Sequence, residues 1–254
     1  MRSSACIEGE RDIAGEDFVI THINIRGCLT NCTHFTAHMQ QKALQPQLVL
    51  MNETKLDRSV AQPVLEGYEI VGRKDNEAKI HGGGVLVYAH KSIASRVTFM
   101  GSSDDAERVW LMLHSNQGPY LIGAWYRAPS RANDESIRSL KTELDKLGPH
   151  TLGTIVIGDF NVHHERWLGS KDTSPAGEAL REVCSECGLR QMVRGPTHQA
   201  GNPLDLVLTG MTDAVKVSVG QRITDHCIID TKLQLPLPQT TEVVRRDHDY
   251  KKAA

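Results

Sequence analysis

One segment sets the terms for the rest of the chain: residues 154–167, TIVIGDFNVHHERW. Ile155, Val156 and Ile157 form a short apolar run of the kind a buried strand uses. Gly158 lets the backbone turn closely, and Asp159 and Asn161 follow on either side of Phe160. In an extended segment, residues i and i+2 share a face. A carboxylate and a carboxamide therefore leave the end of a buried strand side by side, with an aromatic ring turned back into the core. Such a pair suits a site that activates water and holds a developing oxyanion. It is also the pattern of a strand end followed by an Asx turn. The choice rests on which other polar residues stand at strand ends.

Several do. Residues 17–24, DFVITHIN, alternate, with Phe18, Ile20, His22 and Asn24 on one face and Asn24 closing the strand. A helix is expected over 33–44, ended by Pro46. Residues 47–51 read as a second strand, with Glu53 just past it. Strands over 68–72 and 85–88 flank a charged loop. Gly82-Gly83-Gly84 opens the second of these strands. A glycine run cradles phosphate where it opens a helix, so this one reads as a backbone-packing device. Strands over 108–114 and 120–126 form a hairpin at Gly118-Pro119, and Tyr126 ends it before Arg127. Ile137, Leu140, Leu144 and Leu147 stripe a helix over 133–147, with Asn133 as its cap and Gly148-Pro149 as its stop. Ser174-Pro175 starts another helix, closed at Gly188. Asp205 begins the strand LDLVLT, a strand over 215–219 follows, and Asp225-His226 leads into the last, over 227–233.

About ten strands with helices only in the connections is not βαβ alternation. The pattern predicts two packed sheets flanked by helices over 17–235. Residues 1–16 read as a polar leader and 236–254 as a polar linker or tail.

Composition limits the function. Across 254 residues the formal charge is −2, so no global positive field exists to attract a nucleic acid. A nucleic-acid partner would need a local basic rim or a metal ion. No apolar run approaches a membrane span and the first 17 residues lack a signal core, so a soluble, unsecreted protein is expected. Cys28/Cys32 and Cys184/Cys187 have zinc-like spacings, but the second pair sits beside Leu180 and Val183 on a helix face. Both pairs read as buried thiols.

Asn24, Glu53, Tyr126, Asp159, Asn161, Asp205, Asp225 and His226 all stand at strand ends or starts. If they converge, three or four carboxylates and an amide make a hard-oxygen site suited to Mg²⁺. A lone histidine beside an aspartate suits proton transfer or phosphate contact. Zinc catalysis would want more histidines, and covalent catalysis a positioned nucleophile with its base. What remains is metal-assisted phosphodiester hydrolysis by water.

The set HINIRG, LMNET, GAWYRAP, IGDFN, LDLVLT and TDH, in that order and spacing, resembles the endonuclease/exonuclease/phosphatase superfamily. Within it the chain is similar to the apurinic/apyrimidinic-type endonucleases of non-LTR (LINE-type) retrotransposons. GDFNVHHERW followed by Gly169-Ser170 is similar to their Jockey-like branch. The resemblance covers about residues 17–235 and implies a four-layer α/β sandwich, deoxyribonuclease I-like, with two mostly antiparallel sheets. It implies Glu53 as principal Mg²⁺ ligand (Mn²⁺ substituting), Asn24 in support of the metal or its waters, and Asp225 as a metal or metal-water contact. Asp159 is implied to activate the attacking water with Asn161 assisting. His226, oriented by Asp205, would contact the scissile phosphate, and Tyr126 a phosphate or leaving-group oxygen. Arg127, Thr197 and Thr224 are carried over as substrate contacts, Thr224 standing where the family has serine. Leu168 is an insertion after Trp167. His163 and His164 are assigned loop packing, since the resemblance gives them no chemistry.

The implied activity is nicking of double-stranded DNA to leave a 3′-hydroxyl that primes reverse transcription. A monomer acting on genomic DNA in the nucleus, partnered by the reverse transcriptase domain of its element, is expected. No apolar-flanked Asp-Asp pair of polymerase type is present; Asp104-Asp105 lies in a polar loop. The chain thus reads as an isolated endonuclease module or a truncated element copy. The alternatives are an abasic-site repair nuclease, a deadenylase, a phosphoinositide or sphingomyelin hydrolase, and an inert nucleic-acid-binding remnant.

Overall fold

The computed structural model describes residues 17–41, 45–76, 82–103, 106–129 and 134–235. The expected leader and tail, Asn133 and the Asp104-Asp105 pair lie outside them. In chain order the elements are β1 (Phe18–Asn24), α1 (Cys28–Gln41), β2 (Leu48–Asn52), β3 (Tyr68–Lys74), β4 (Val85–His90), α2 (Lys91–Ala94), β5 (Val97–Ser102), β6 (Glu107–His114) and β7 (Pro119–Tyr126). There follow α3 (Glu135–Leu147), β8 (Gly153–Asp159), α4 (Glu165–Leu168), α5 (Pro175–Glu186), β9 (Arg190–Gln191), β10 (Asp205–Thr209), β11 (Val215–Arg222) and β12 (Cys227–Leu233).

Two six-stranded sheets result, ordered β11-β12-β1-β2-β4-β3 and β5-β6-β7-β8-β10-β9. Each holds one parallel pair, β1–β2 and β7–β8, among antiparallel neighbours. A parallel pair needs a crossover, and α1 and α3 lie in the two connections. Both strands of each pair therefore end at one edge, where the antiparallel β12 and β10 begin. The register makes this concrete. One row runs Asn24, Asn52, Val85, Lys74 across β1, β2, β4 and β3. The other runs Asp205, Asp159, Tyr126, Glu107 across β10, β8, β7 and β6.

Between the sheets, Phe18, Ile20, Leu50 and Val87 pack with Val109, Leu111, Ile122 and Ile157. Phe35 and Met39 of α1 cover the outer face of the first sheet over Ile23 and Val49. Ile137, Leu140 and Leu180, from α3 and α5, cover the second over Leu121, Val156 and Leu206. The four-layer sandwich expected from the sequence is present. Ser174 caps α5 by accepting from Gly177 N–H, with Pro175 in its first turn, as expected.

Other local expectations differ. Two strands go beyond the expected ten. Thr98, Phe99 and Met100 of the edge strand β5 are exposed, so no apolar alternation announces it, and β9 is two residues long. Helix α1 starts five residues early because Cys28, Cys32, Phe35 and Met39 form its buried stripe. Gly158 makes no turn: it lies within β8, opposite Trp125, and a Cβ there would overlap the Trp125 backbone carbonyl. Gly158→Ala is expected to cost about 3 kcal/mol, the upper end for overpacking, since backbone yields less than a side chain. A thermal melt should show Tm lowered by roughly 5–10 °C.

Candidate active site

The two rows meet through side chains. Asn24 Nδ2 donates to Asp159 Oδ2 at 2.8 Å, joining the ends of β1 and β8. Asn161 Nδ2 donates to the same oxygen at 2.9 Å, and its backbone N–H to Asp159 Oδ1 at 3.1 Å. Asp159 thus receives three hydrogen bonds in a site where it is only 1% exposed. The pairing of Asp159 with Asn161 is as the sequence suggested, but its geometry is not extended. β8 ends at Asp159, and Asn161 has φ +47°. An Asx-type turn brings the two together, while Phe160 is buried against Trp125, ring centroids 4.5 Å apart. The turn and the site are one structure.

His226 Nδ1 bonds Asp205 Oδ2 at 2.8 Å, and its Nε2 faces Asp159 Oδ2 at 4.0 Å. Burial works to lower the imidazole pKa. The Asp205 hydrogen bond and charge, with Asp159 and Asp225, outweigh it and push the value up to about 9. The Asp159 carboxyl is shifted upward as well. Burial and the neighbouring Asp205 charge raise it, against the His226 charge and the Asn24 and Asn161 donors. Burial, then the carboxylates of Glu53, Asp159 and Glu107, hold the Tyr126 phenol above its ordinary range, so it remains a neutral donor.

Glu53 and Asp225 flank a cation already. Arg26 Nη1 lies 2.8 Å from Asp225 Oδ2 and its Nε 3.7 Å from Glu53 Oε2. Lys55 Nζ is 3.4 Å from Glu53 Oε1. Burial raises the Asp225 carboxyl, but His226 and Arg26 outweigh it and keep it below its ordinary value. Asp225 Oδ1 is buried and has no hydrogen-bond partner. Arg26 bridges the Glu53 and Asp225 carboxylates, and its backbone N–H donates to Asn24 Oδ1 at 3.2 Å, so these oxygens surround a place that tolerates positive charge and fits a hard divalent cation.

The remaining candidates serve as supports. Thr197 Oγ1 accepts from Leu204 and Asp205 N–H at 3.0 Å each, fixing the start of β10. Thr224 Oγ1 donates to Asn24 O at 2.9 Å and accepts from His226 N–H at 3.1 Å, tying β1 to the β12 entry. Arg127 is 3% exposed; its Nη1 donates to Asn161 O at 3.2 Å, and its carbonyl accepts from Asn161 Nδ2 at 2.8 Å. It braces the Asn161 turn from beneath. His164 caps α4 and its Nε2 lies 3.0 Å from Glu178, while the His163 carbonyl packs against Gly177. Both histidines hold the loop.

Three residues emerge that sequence reasoning passed over. His22 is fully buried, with Nδ1 3.7 Å from Asp205 Oδ1; burial, opposed by Asp205, lowers its pKa to about 4. Its placement on the Asn24 face of β1 was the available signal. Glu107, paired with Tyr126, accepts from Gly84 N–H and from Asn76 Nδ2. A Cβ at Gly83 would overlap its carboxylate, so the glycine run packs around a buried acid. His198 contacts both Asp225 and His226.

Residues 120–230 match the family model described as "Endonuclease-reverse transcriptase". The endonuclease domain of TRAS1, a telomere-specific non-LTR retrotransposon, superposes with TM-score 0.65 at 15% identity, over 87% of this chain and 99% of that one. The fold is that of the endonuclease/exonuclease/phosphatase superfamily. An AP endonuclease from Leishmania major gives TM-score 0.70 at 17% identity, over 85% and 87% of the two chains. The 3′ phosphatase NExo from Neisseria gives 0.62 at 17%, over 85% and 99%. No curated protein matches the chain in sequence. Among the described residues no helix is long and apolar enough to cross a membrane. This fold supplies the frame in which the Asn24 and Asp159 rows face each other.

Proposed function

We propose that this chain is a divalent-metal-dependent endonuclease that hydrolyses one phosphodiester of double-stranded DNA. Mg²⁺ is the expected metal, with Mn²⁺ able to replace it. The carrying observation is that Asp159, anchored by Asn24 and Asn161, faces His226, anchored by Asp205, across 4.0 Å. Asp159 orients the attacking water and takes its proton, its carboxylate form favoured by the facing His226 charge and the Asn24 and Asn161 donors. His226, held cationic by Asp205, donates to a phosphoryl oxygen as negative charge builds there. Tyr126 offers a neutral hydroxyl to the same centre. Glu53, Asn24 and Asp225 would hold the metal, which when bound supplies Lewis-acid stabilisation of the phosphate.

The retrotransposon endonuclease among the similar structures and the name of the matching family model support a narrower reading. The nick leaves a 3′-hydroxyl that primes a reverse transcriptase domain of the same element, on genomic DNA in the nucleus, the endonuclease acting as a monomer. The AP endonuclease likeness supports abasic-site cleavage as a second substrate reading.

Supercoiled plasmid incubated with the purified chain and Mg²⁺ is expected to give open circles, none with EDTA, and ends that a polymerase extends. An abasic duplex and an undamaged one of the same sequence should be cut at comparable rates. A folded chain that leaves plasmid intact with Mg²⁺ and with Mn²⁺ would remove the endonuclease reading. Strong preference for the abasic duplex would favour the repair reading.

A further inference from the structure

We propose that His198 is a positioning residue of this site, its Nε2–H orienting the Asp225 carboxylate and its ring setting the plane of the His226 imidazole. The inference deepens the endonuclease reading and rests on it for its kinetic consequence.

The segment carrying His198 is stitched to the entry of β12 by backbone hydrogen bonds. Gln199 N–H donates to Asp225 O at 2.9 Å and Cys227 N–H to Thr197 O at 2.7 Å. His198 and His226 form an isolated antiparallel bridge. The two rings then meet edge to face, centroids 4.7 Å apart at 64°. His226 is thus held by Asp205 at its Nδ1 and by the His198 ring at its side.

The tautomer of His198 follows from its other nitrogen. Ala200 N–H donates to Nδ1 at 3.1 Å, so Nδ1 presents a lone pair and the ring proton sits on Nε2. Nε2 lies 3.4 Å from Asp225 Oδ2, a long donor contact to a carboxylate. This separates two readings of the His198, Asp225, His226 cluster, whose nitrogen and oxygen atoms lie within 4.8 Å of one another. A metal ligand needs its lone pair at the ligating nitrogen, and here that nitrogen carries the proton. His198 is therefore a donor to the carboxylate. Asp225 Oδ2 is gripped from two sides, by Arg26 at 2.8 Å and His198 at 3.4 Å, which leaves the buried, unpartnered Oδ1 in one fixed direction.

Two substitutions divide the role. His198→Phe keeps a ring beside His226 and removes the Nε2–H; His198→Gln keeps a donor and removes the ring. With Tm near wild type, His198→Phe is expected to lower kcat for plasmid nicking by ~10–100-fold at an unchanged KM for DNA, the usual size for a residue behind a ligand. Mg²⁺ affinity measured by calorimetry on the free protein should fall with it, and His198→Gln should recover part of both. Nitrogen-15 NMR of the histidine side chains should show His198 in the Nε2–H tautomer and a moved His226 signal in each variant. Wild-type kcat and Mg²⁺ affinity in His198→Phe, or an effect on KM alone, would overturn the assignment, as would an Nδ1–H tautomer. If the wild type fails to nick, the endonuclease reading falls. The NMR and calorimetry then still decide whether His198 orients Asp225 and His226.

Discussion

His226→Ala is expected to lower the nicking rate by about 10²–10⁴-fold, the range for a positioned proton donor, measured below its melting temperature because the variant also leaves the buried Asp205 without its partner. The more telling variant is Asp205→Asn. In the intact site the His226 pKa stands at about 9 against an ordinary 6.5. An activity that needs the imidazolium is therefore retained through neutrality and falls as pH rises through about 9. Removing the Asp205 charge takes away the largest influence holding the value up, while burial still pulls it down. The alkaline limb of the pH–rate profile should then move to lower pH, and the rate at pH 8 should drop far more than the rate at pH 6. Stability carries the same sign. A histidine whose folded pKa is raised contributes stability that is complete below 6.5 and is lost between 6.5 and about 9. Asp205→Asn should shrink that loss. An alkaline limb that stays in place in Asp205→Asn would show that His226 does not act as a cation on the phosphate.

The sequence made these residues visible because strand ends are local features. Apolar runs before Asn24, Asp159 and after Asp205 and His226 mark where buried strands meet the site edge, so polar residues there stand out. The sandwich was legible for the same reason. What stayed hidden depends on register or on unusual backbone. Glu107 matters because β6 pairs it with Tyr126, and it fell one residue outside the strand expected over 108–114. His198 reads as part of a polar loop until β12 comes beside it. Glu53 has φ +53°, Lys55 +55° and Arg26 +52°, conformations that non-glycine residues seldom adopt. Three strained residues near one edge are what a site held against its local preferences looks like, and propensity argues against each of them. β5 was invisible because its side chains face solvent, and α1 began early because cysteines, weak helix signals, carry its buried stripe.

The second large effect lies beneath the chemistry. Arg108 is fully buried, opposite Trp125 in register, its guanidinium 4.5 Å above that ring. Glu143 of α3 takes two of its hydrogen bonds, at 2.8 Å each; Ser136 O and Ser139 Oγ take others at 3.0 Å. Trp125 is the pillar under the site. Its carbonyl accepts from Asn52 Nδ2 at 2.5 Å, its backbone abuts Gly158, and its ring carries Phe160. Glu143→Ala leaves a buried cation without its carboxylate and is expected to cost about 3–5 kcal/mol, a Tm drop of roughly 10 °C. Arg108→Met with Glu143→Leu should restore most of it, since a packed apolar pair avoids both desolvation costs. Burial alone would raise the Glu143 carboxyl, but the Arg108 hydrogen bonds outweigh it and hold it below its ordinary value. Its contribution is therefore present above the ordinary carboxylate pKa and is lost as pH falls through the lowered one. The gap between wild type and Glu143→Ala should narrow in acid. Urea melts at pH 7 and pH 3 measure it; a Glu143→Ala midpoint within error of wild type at pH 7 would mean that the buried cation finds other support. Below its melting temperature the same variant should still nick DNA, because Glu143 reaches the reacting atoms only through Arg108 and Trp125. Loss of stability with retained turnover would separate the pillar from the Asp159–His226 chemistry that it carries.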